Sequence, residues 1–364
     1  MSILTNKKFQ KYIYKYFPPF LISYILYKRY KISINKTRFP PPLELGIYER
    51  DVINYNYDCI RLSHGNVHYR TNIINRNLQN NDDSEKKQVY LFIHSENGSM
   101  YDFKNMINSL NSMKQVVGEQ RVKYYYICVD LYGYGYSQYD NTPQTIQLYI
   151  SQICELLYSL NVNVRINVVG YSMGAAISAG FAATYPLKIQ SLVLLSPNGY
   201  KEYRGNNTSW FIKYIKNNSI LTLLSVYYVN FHTYNEDEYK VKWNDVMSTE
   251  CIDYVDNNKT YYNNIELNNT IYDKILSKNS YIRNFPIGEI EYVYKYINEN
   301  ISNILIVWGE NDDTNKQTNL KNVNKILSNS QIINYSNYKQ FYPLEHGNVV
   351  MKDIVNWVTL LTKS

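Results

Sequence analysis

The stretch "VVGYSMGAA", Val168–Ala176, places a serine between two glycines, after an apolar run and before a run of small residues. Gly170-Tyr171-Ser172-Met173-Gly174 has the G-x-S-x-G form. That pattern suits a sharp turn from a buried strand into a helix, with Ser172 in a strained conformation and no bulk at the flanking positions. Ala175 and Ala176 keep the start of the helix small. A serine hydroxyl is a poor nucleophile alone at neutral pH, so the rest of the chain has to supply a base and an orienting group.

The segments around this turn alternate between strand and helix patterns. "DCIRLSHGNVHYRTNI" alternates apolar and polar residues and predicts a hairpin turning at His64–Gly65. "QVYLFIH" (Gln88–His94), "VKYYYICVD", "VRINVVG", "IQSLVLLSP" and "NILIVWG" (Asn303–Gly309) are continuous apolar runs, as strands buried on both faces require. "SQIINYS" reads as a sixth such strand. Helical spacing appears near Phe103–Met113, in "TIQLYISQICELLYSL", in Ala175–Thr184 and in "NVVMKDIVNWVTLLT". This rhythm predicts an α/β fold with a mostly parallel sheet covered by helices on both faces. Ligands bind such sheets beyond the carboxyl ends of the strands, where Ser172, Asp312 and the loop after His94 all fall. Between Ser196 and Asn303 the rhythm stops for about a hundred residues, too many for a plain loop. We read residues 201–302 as an inserted lid, with "WFIKYIKNNSILTLLSVYYV" helical in period. Residues 44–200 and 303–364 then form the core.

The 364 residues carry 38 Lys and Arg against 31 Asp and Glu, but the excess is local. Residues 1–43 hold nine basic side chains and no acid, which leaves the rest of the chain slightly acidic. The body therefore offers no basic surface for nucleic acid. The leader contains "YIYKYFPPFLISYILYKRY", whose apolar part is shorter than a bilayer-spanning helix and is interrupted by Pro18 and Pro19. It lacks the flanks of a cleaved signal peptide. Two readings stand: a targeting or membrane-interface segment over residues 1–36, and a helix packed on the body. "RFPPP" follows as a stiff linker. The four cysteines, Cys59, Cys128, Cys154 and Cys251, lack metal-ligand or redox spacing and suit reduced thiols in an intracellular compartment. The 41 tyrosines reflect a composition bias and carry little information singly.

"VYLFIHSENGS", "VDLYGYGYS", "VVGYSMGAAISAGFAATYP", "SLVLLSP" and "ILIVWGENDD" occur in the order of the landmarks of the α/β-hydrolase fold, and the chain resembles that family over about residues 55–200 and 303–360. The resemblance implies Ser172 as nucleophile and Asp312 as the acid that orients the base. The backbone N–H groups of Met173 and Glu96 would form the oxyanion hole, with Ser95 the lesser candidate for the second donor. The family usually has His-Gly where this chain has His94-Ser95, so the loop glycine is lost. The expected activity is hydrolysis of a carboxylic ester, with a lipid or acylglycerol favoured by the apolar lid stretch and the leader, and with no metal or organic cofactor.

The base is the difficulty. Of His64, His68, His94, His232 and His346, only His346 follows Asp312, as the order Ser, Asp, His demands. In "YKQFYPLEHGNVV", however, Gln340 falls in the slot where the family usually carries its base. His346 falls just before the last helix, where a histidine is ordinary. An amide cannot take and return a proton. Either His346 reaches Ser172 through a rearranged loop, or it is a helix-start residue and the protein is an impaired hydrolase that binds a ligand or partner in the cleft. His232 is a remote third candidate, and His64, His68 and His94 read as structural.

Overall fold

A computed structural model describes residues 57–73, 78, 85–96, 98–113, 115–117, 120–135, 137–138, 141–198, 271–286, 290–312, 317–339 and 342–361. The leader, the helical reading of "WFIKYIKNNSILTLLSVYYV", His232, Cys251 and Gln340 lie outside these residues.

Nine strands among the described residues form one sheet: β1 (Tyr57–Leu62), β2 (Gly65–Thr71), β3 (Glu85–Ile93), β4 (Gln115–Val117), β5 (Gln120–Val129), β6 (Ile166–Tyr171), β7 (Ile189–Leu195), β8 (Ile304–Gly309) and β9 (Gln331–Tyr335). Their spatial order is β1-β2-β5-β3-β6-β7-β8-β9, with the short β4 paired to β5 off this path. The β1–β2 hairpin, β2–β5 and β4–β5 are antiparallel, and every pairing from β5 through β3 to β9 is parallel. The hairpin turns at Ser63–His64, where Leu62 pairs with Gly65 and Gly65 takes φ 133°.

The two faces of the sheet separate by residue parity, as a period of two dictates. Leu91, Ile93, Val168, Leu192, Leu194, Ile306 and Trp308 point to one side. There they meet α2 (Ile146–Ser159), α3 (Met173–Thr184), α4 (Ile271–Asn284), α5 (Glu291–Asn300) and α6 (Gln317–Ile326). Phe92, Val169, Val193, Leu195, Leu305 and Val307 point to the other, against α1 (Lys104–Ser112) and α8 (Gly347–Leu361). Each fully buried aliphatic or aromatic side chain here contributes about 1.5–3 kcal/mol of transfer free energy. This double burial explains the unbroken apolar runs in β3, β6, β7 and β8. The central strands, covered on both sides, all deliver their carboxyl ends to one edge of the molecule, and that edge positions the candidate site.

Two helices stand within the span read as a lid. α4 carries Tyr281, the chain just past its end carries Phe285, and α5 carries Val293, Tyr294 and Ile297, all into the same apolar cluster as α3. Ser277 and Ser280 of α4 are buried and bond to the loop before α2, through Gln144 Nε2 at 2.5 Å and from the Gln144 N–H at 3.0 Å.

Among the described residues no helix is long and apolar enough to cross a membrane, and no group of His, Cys, Asp and Glu is gathered to hold a metal ion. Cys59, Cys128 and Cys154 are free thiols.

Candidate active site

β6 is buried along its whole length and stops at Tyr171. Ser172 then turns the chain with φ 52° and ψ −109°, and α3 begins at Met173. A non-glycine residue held at positive φ costs free energy, which the surrounding structure must over-determine. The backbone bonds do so. The Ser172 N–H donates to the Leu195 carbonyl at 2.9 Å, and the Ser172 carbonyl accepts from Ala175, Ala176 and Asn198. The Ser172 hydroxyl does not cap the helix it starts, and the residue is half-buried.

The flanking glycines are required by contact. A Cβ on Gly170 would lie 2.2 Å from Ser178 Oγ and 2.4 Å from the Gly174 carbonyl. A Cβ on Gly174 would lie 2.0 Å from the Ile93 carbonyl and 2.5 Å from that of His94. The first turn of α3 is thus pressed against the end of β3. This brings Met173, at the helix start, beside the loop that begins at His94.

That loop is fixed by His94, which is fully buried. Its Nε2 accepts from the Leu131 N–H at 3.0 Å, so its Nδ1 carries the proton and donates to the Ser95 carbonyl at 2.7 Å. Burial lowers its pKa, against the opposing influence of Asp130 and of the Ser95 carbonyl. His94 is a neutral brace with both nitrogens committed. Glu96, which carries the second candidate donor, has its carboxyl pKa raised by burial, opposed by Lys278 and by a hydrogen bond with Tyr281. Both of those partners belong to α4.

Asp312 is buried at 3% exposure in the turn after β8. Glu310 and Asn311 donate their N–H groups to the Tyr335 and Tyr338 carbonyls, so the segment after β9 lies directly across this turn. Gly309 keeps the crossing close: a Cβ there would lie 2.6 Å from the Tyr338 carbonyl. The charge of Asp312 reaches Tyr171 and Tyr342, helping burial push both phenol pKa values up. Tyr342 stands edge-on to Tyr171 at 6.3 Å and donates its hydroxyl to the Val307 carbonyl at 2.9 Å. Asp312 and the end of β6 therefore share one buried tyrosine cluster beneath Ser172.

His346 follows the same tyrosine cluster. It sits between α7 (Tyr342–Glu345) and α8, where its N–H donates to Tyr342 and its carbonyl accepts from Val349 and Val350. Its ring stacks on Tyr338 with centroids 4.0 Å apart, and its Nε2 is 3.8 Å from Glu345 Oε2. The α7–α8 corner is fastened to α1: Asn105 Nδ2 donates to the Leu344 carbonyl, and Gly347 approaches the Met106 backbone so closely that a Cβ would be 2.8 Å from its nitrogen. Among the described residues no hydrogen bond joins Ser172 Oγ, Asp312 and His346. The structure thus brings Ser172, Met173 and the His94–Glu96 loop together, links Asp312 to the end of β6 through the Tyr171–Tyr342 pair, and places the His346 ring against Tyr338. His68 pairs with Asp130 at 3.2 Å, and His64 with Thr142 at 3.2 Å, both in the early hairpin region.

Sequence reasoning passed over Ser95 and Asp102 as a pair, although Ser95 Oγ donates to Asp102 Oδ2 at 3.1 Å. The departure of Ser95 from the usual glycine was the available signal. A separate cavity of about 180 Å³, lined by Cys154, Leu157, Phe181 and Tyr185, opens near Ile166 at the start of β6 and is remote from Ser172.

The sequence profile of the alpha/beta hydrolase fold matches residues 89–347, well over half the chain. The chain belongs to the α/β-hydrolase fold family. This α/β hydrolase is 26% identical over 253 residues to "Lipase 1" of Psychrobacter immobilis, covering 67% of this chain and 68% of that one. It is 24% identical over 136 residues to "Putative esterase/lipase 2" of Mycoplasma genitalium, covering 37% of this chain and 47% of that one, so the match spans about half of that relative. Among solved structures, a membrane phospholipase A described as a bacterial virulence factor superposes with TM-score 0.60 at 12% identity, covering 95% of this chain and all of the other. The hydrolase MGS-M2, from a Medee basin deep-sea metagenome library, gives 0.58 at 15%, with 82% and 96% covered. At these identities the superpositions show the fold.

Proposed function

We propose that the protein hydrolyses a carboxylic ester through an acyl-enzyme on Ser172. The observation that carries this reading is the turn at Ser172, with φ 52° between a buried strand and a helix whose glycines leave no room for a methyl group. A turn of this kind presents the hydroxyl of its serine. Ser172 Oγ gives its proton to the base and attacks the acyl carbonyl, the N–H groups of Met173 and Glu96 receive the oxyanion, the ester C–O bond breaks as the alcohol leaves with that proton, and water then cleaves the acyl-enzyme to release the acid and restore Ser172. His346 is assigned as the base, being the only histidine beyond Asp312 in the chain, and Asp312 as the group that orients and stabilises its charged form. In this role the imidazole turns away from Tyr338 toward Ser172 on substrate binding. A lipid or acylglycerol is the proposed substrate, supported by the lipase names among the relatives and by the apolar, basic leader. The leader is assigned to a membrane surface within the cell.

The stacking of His346 on Tyr338 favours a second reading, in which the fold has lost its base and the cleft binds a ligand or a partner protein. Hydrolysis of p-nitrophenyl esters of short and long acyl chains decides between the two. Under the first reading Ser172→Ala lowers kcat by about 10⁴-fold or more, and His346→Ala by about 10³-fold or more. Activity unchanged in His346→Ala overturns the assigned base, and no activity of the wild type on any ester supports the second reading.

A further inference from the structure

We propose that Asp102 is a positioning residue for the oxyanion loop, its carboxylate accepting from Ser95 and so holding Ser95 in the place from which the chain presents the Glu96 N–H. This rests on the reading of Glu96 as an oxyanion donor. Where the family usually has a glycine, Ser95 has its carbonyl and its hydroxyl both committed. The carbonyl accepts from His94 Nδ1 at 2.7 Å and from the Gly98 N–H at 3.1 Å, and Oγ donates to Asp102 Oδ2 at 3.1 Å. The backbone of Ser95 and of Ser99 also hydrogen-bonds the Asp102 carboxylate. Asp102 returns its own N–H to the Ser99 carbonyl at 3.0 Å, and Ser99 Oγ accepts from the Tyr101 N–H at 3.2 Å. Gly98 closes over the pair, since a Cβ there would lie 2.1 Å from Asp102 Oδ2 and 2.8 Å from Ser95 Oγ. A loop with a side chain at position 95 therefore gains a side-chain tether in place of the conformational freedom of glycine.

The surroundings make this tether responsive to pH. Burial lifts the Asp102 carboxyl to about 7, with the hydrogen bonds of Ser95 and Ser99 pulling it down and the charge of Asp130 pushing it up. Cys128 of β5 and Tyr171 of β6 also face it, and burial keeps both protonated. α7 packs on the same turn and contributes Glu345, whose charge also reaches Tyr171. Lys104, two residues on, turns to the Tyr101 hydroxyl at 3.3 Å. A charged acceptor holds a hydroxyl more strongly than a neutral one, so the tether tightens above pH 7.

Two measurements on the full chain test this, using Asp102→Asn and the milder Ser95→Ala. The first is hydrogen–deuterium exchange of residues 95–99 at pH 8, which needs no activity. Faster exchange of these amides in both variants, with the rest of the sheet unchanged, is expected; exchange identical to wild type overturns the proposal. The second is the rate of Ser172 modification by a fluorophosphonate, expected to fall at least about tenfold in both variants. It is also expected to recover in Ser95→Thr and to lose its dependence on an ionisation near pH 7 in Asp102→Asn. A loosened loop with an unchanged labelling rate overturns the positioning role. Failure of the wild type to label counts against the catalytic reading alone, because the exchange result stands without it.

Discussion

Among the described glycines, Gly174 is the most tightly enclosed. A methyl group there would stand 2.0 Å from the Ile93 carbonyl, which is backbone and has no flexible end to move. Gly174→Ala is expected to cost about 3 kcal/mol or more in urea unfolding, and an unchanged midpoint would refute the close approach of α3 to β3. Asp102 makes a different kind of prediction. Its carboxyl is near 7 in the fold and near 3.8 when free, so the folded state keeps a proton that the unfolded chain releases. Stability from this group is therefore present at pH 4 and is lost as pH rises to about 7. In Asp102→Asn the decline between pH 4 and 7 should be shallower than in wild type, as urea midpoints across that range would report. His346 shows what a single residue could not reveal in sequence. It follows Asp312 in the order Ser, Asp, His, and its ring lies against Tyr338 with Glu345 3.8 Å from its Nε2.

Strands read more clearly than helices. β3, β6, β7 and β8 are buried on both faces, so their apolar runs are long, unbroken and unambiguous. β4 is only three residues long and has no such run. α4 and α5 were not legible as individual helices because the chain between Ser196 and Asn303 offers no strand rhythm to frame them, and α6 is polar over most of its length. α5 shows what such a helix contributes. Val293, Tyr294 and Ile297 enter the cluster around α3, and the Tyr294 hydroxyl donates to the Asn198 carbonyl just beyond β7. That bond ties α5 to the segment that also donates to the Ser172 carbonyl. Tyr294→Phe is expected to cost about 1 kcal/mol in chemical denaturation while leaving the fold intact, and a neutral result would show that α5 is held by apolar burial alone.

At the scale of the whole chain, the mostly parallel sheet and the family were readable from five landmark segments, because each is a buried strand followed by a loop at one edge of the sheet. The site was readable in part. Ser172 and its glycines are local, and their spacing is dictated by the turn. A base and an acid come from distant loops whose approach depends on how the segment after β9 crosses the turn after β8, and no local pattern encodes that crossing. The leader belongs to this scale too: nine basic residues and an apolar stretch precede a body that is slightly acidic. Deleting residues 1–36 is expected to move the protein from the membrane fraction to the soluble fraction, and a soluble full-length protein would end the membrane assignment. The claim on which everything else depends is that Ser172 is a nucleophile. Treatment of the full-length protein with a fluorophosphonate, followed by peptide mass mapping, tests it most directly. The account predicts a single adduct on Ser172, absent in Ser172→Ala; an unmodified Ser172 in folded wild-type protein would contradict it.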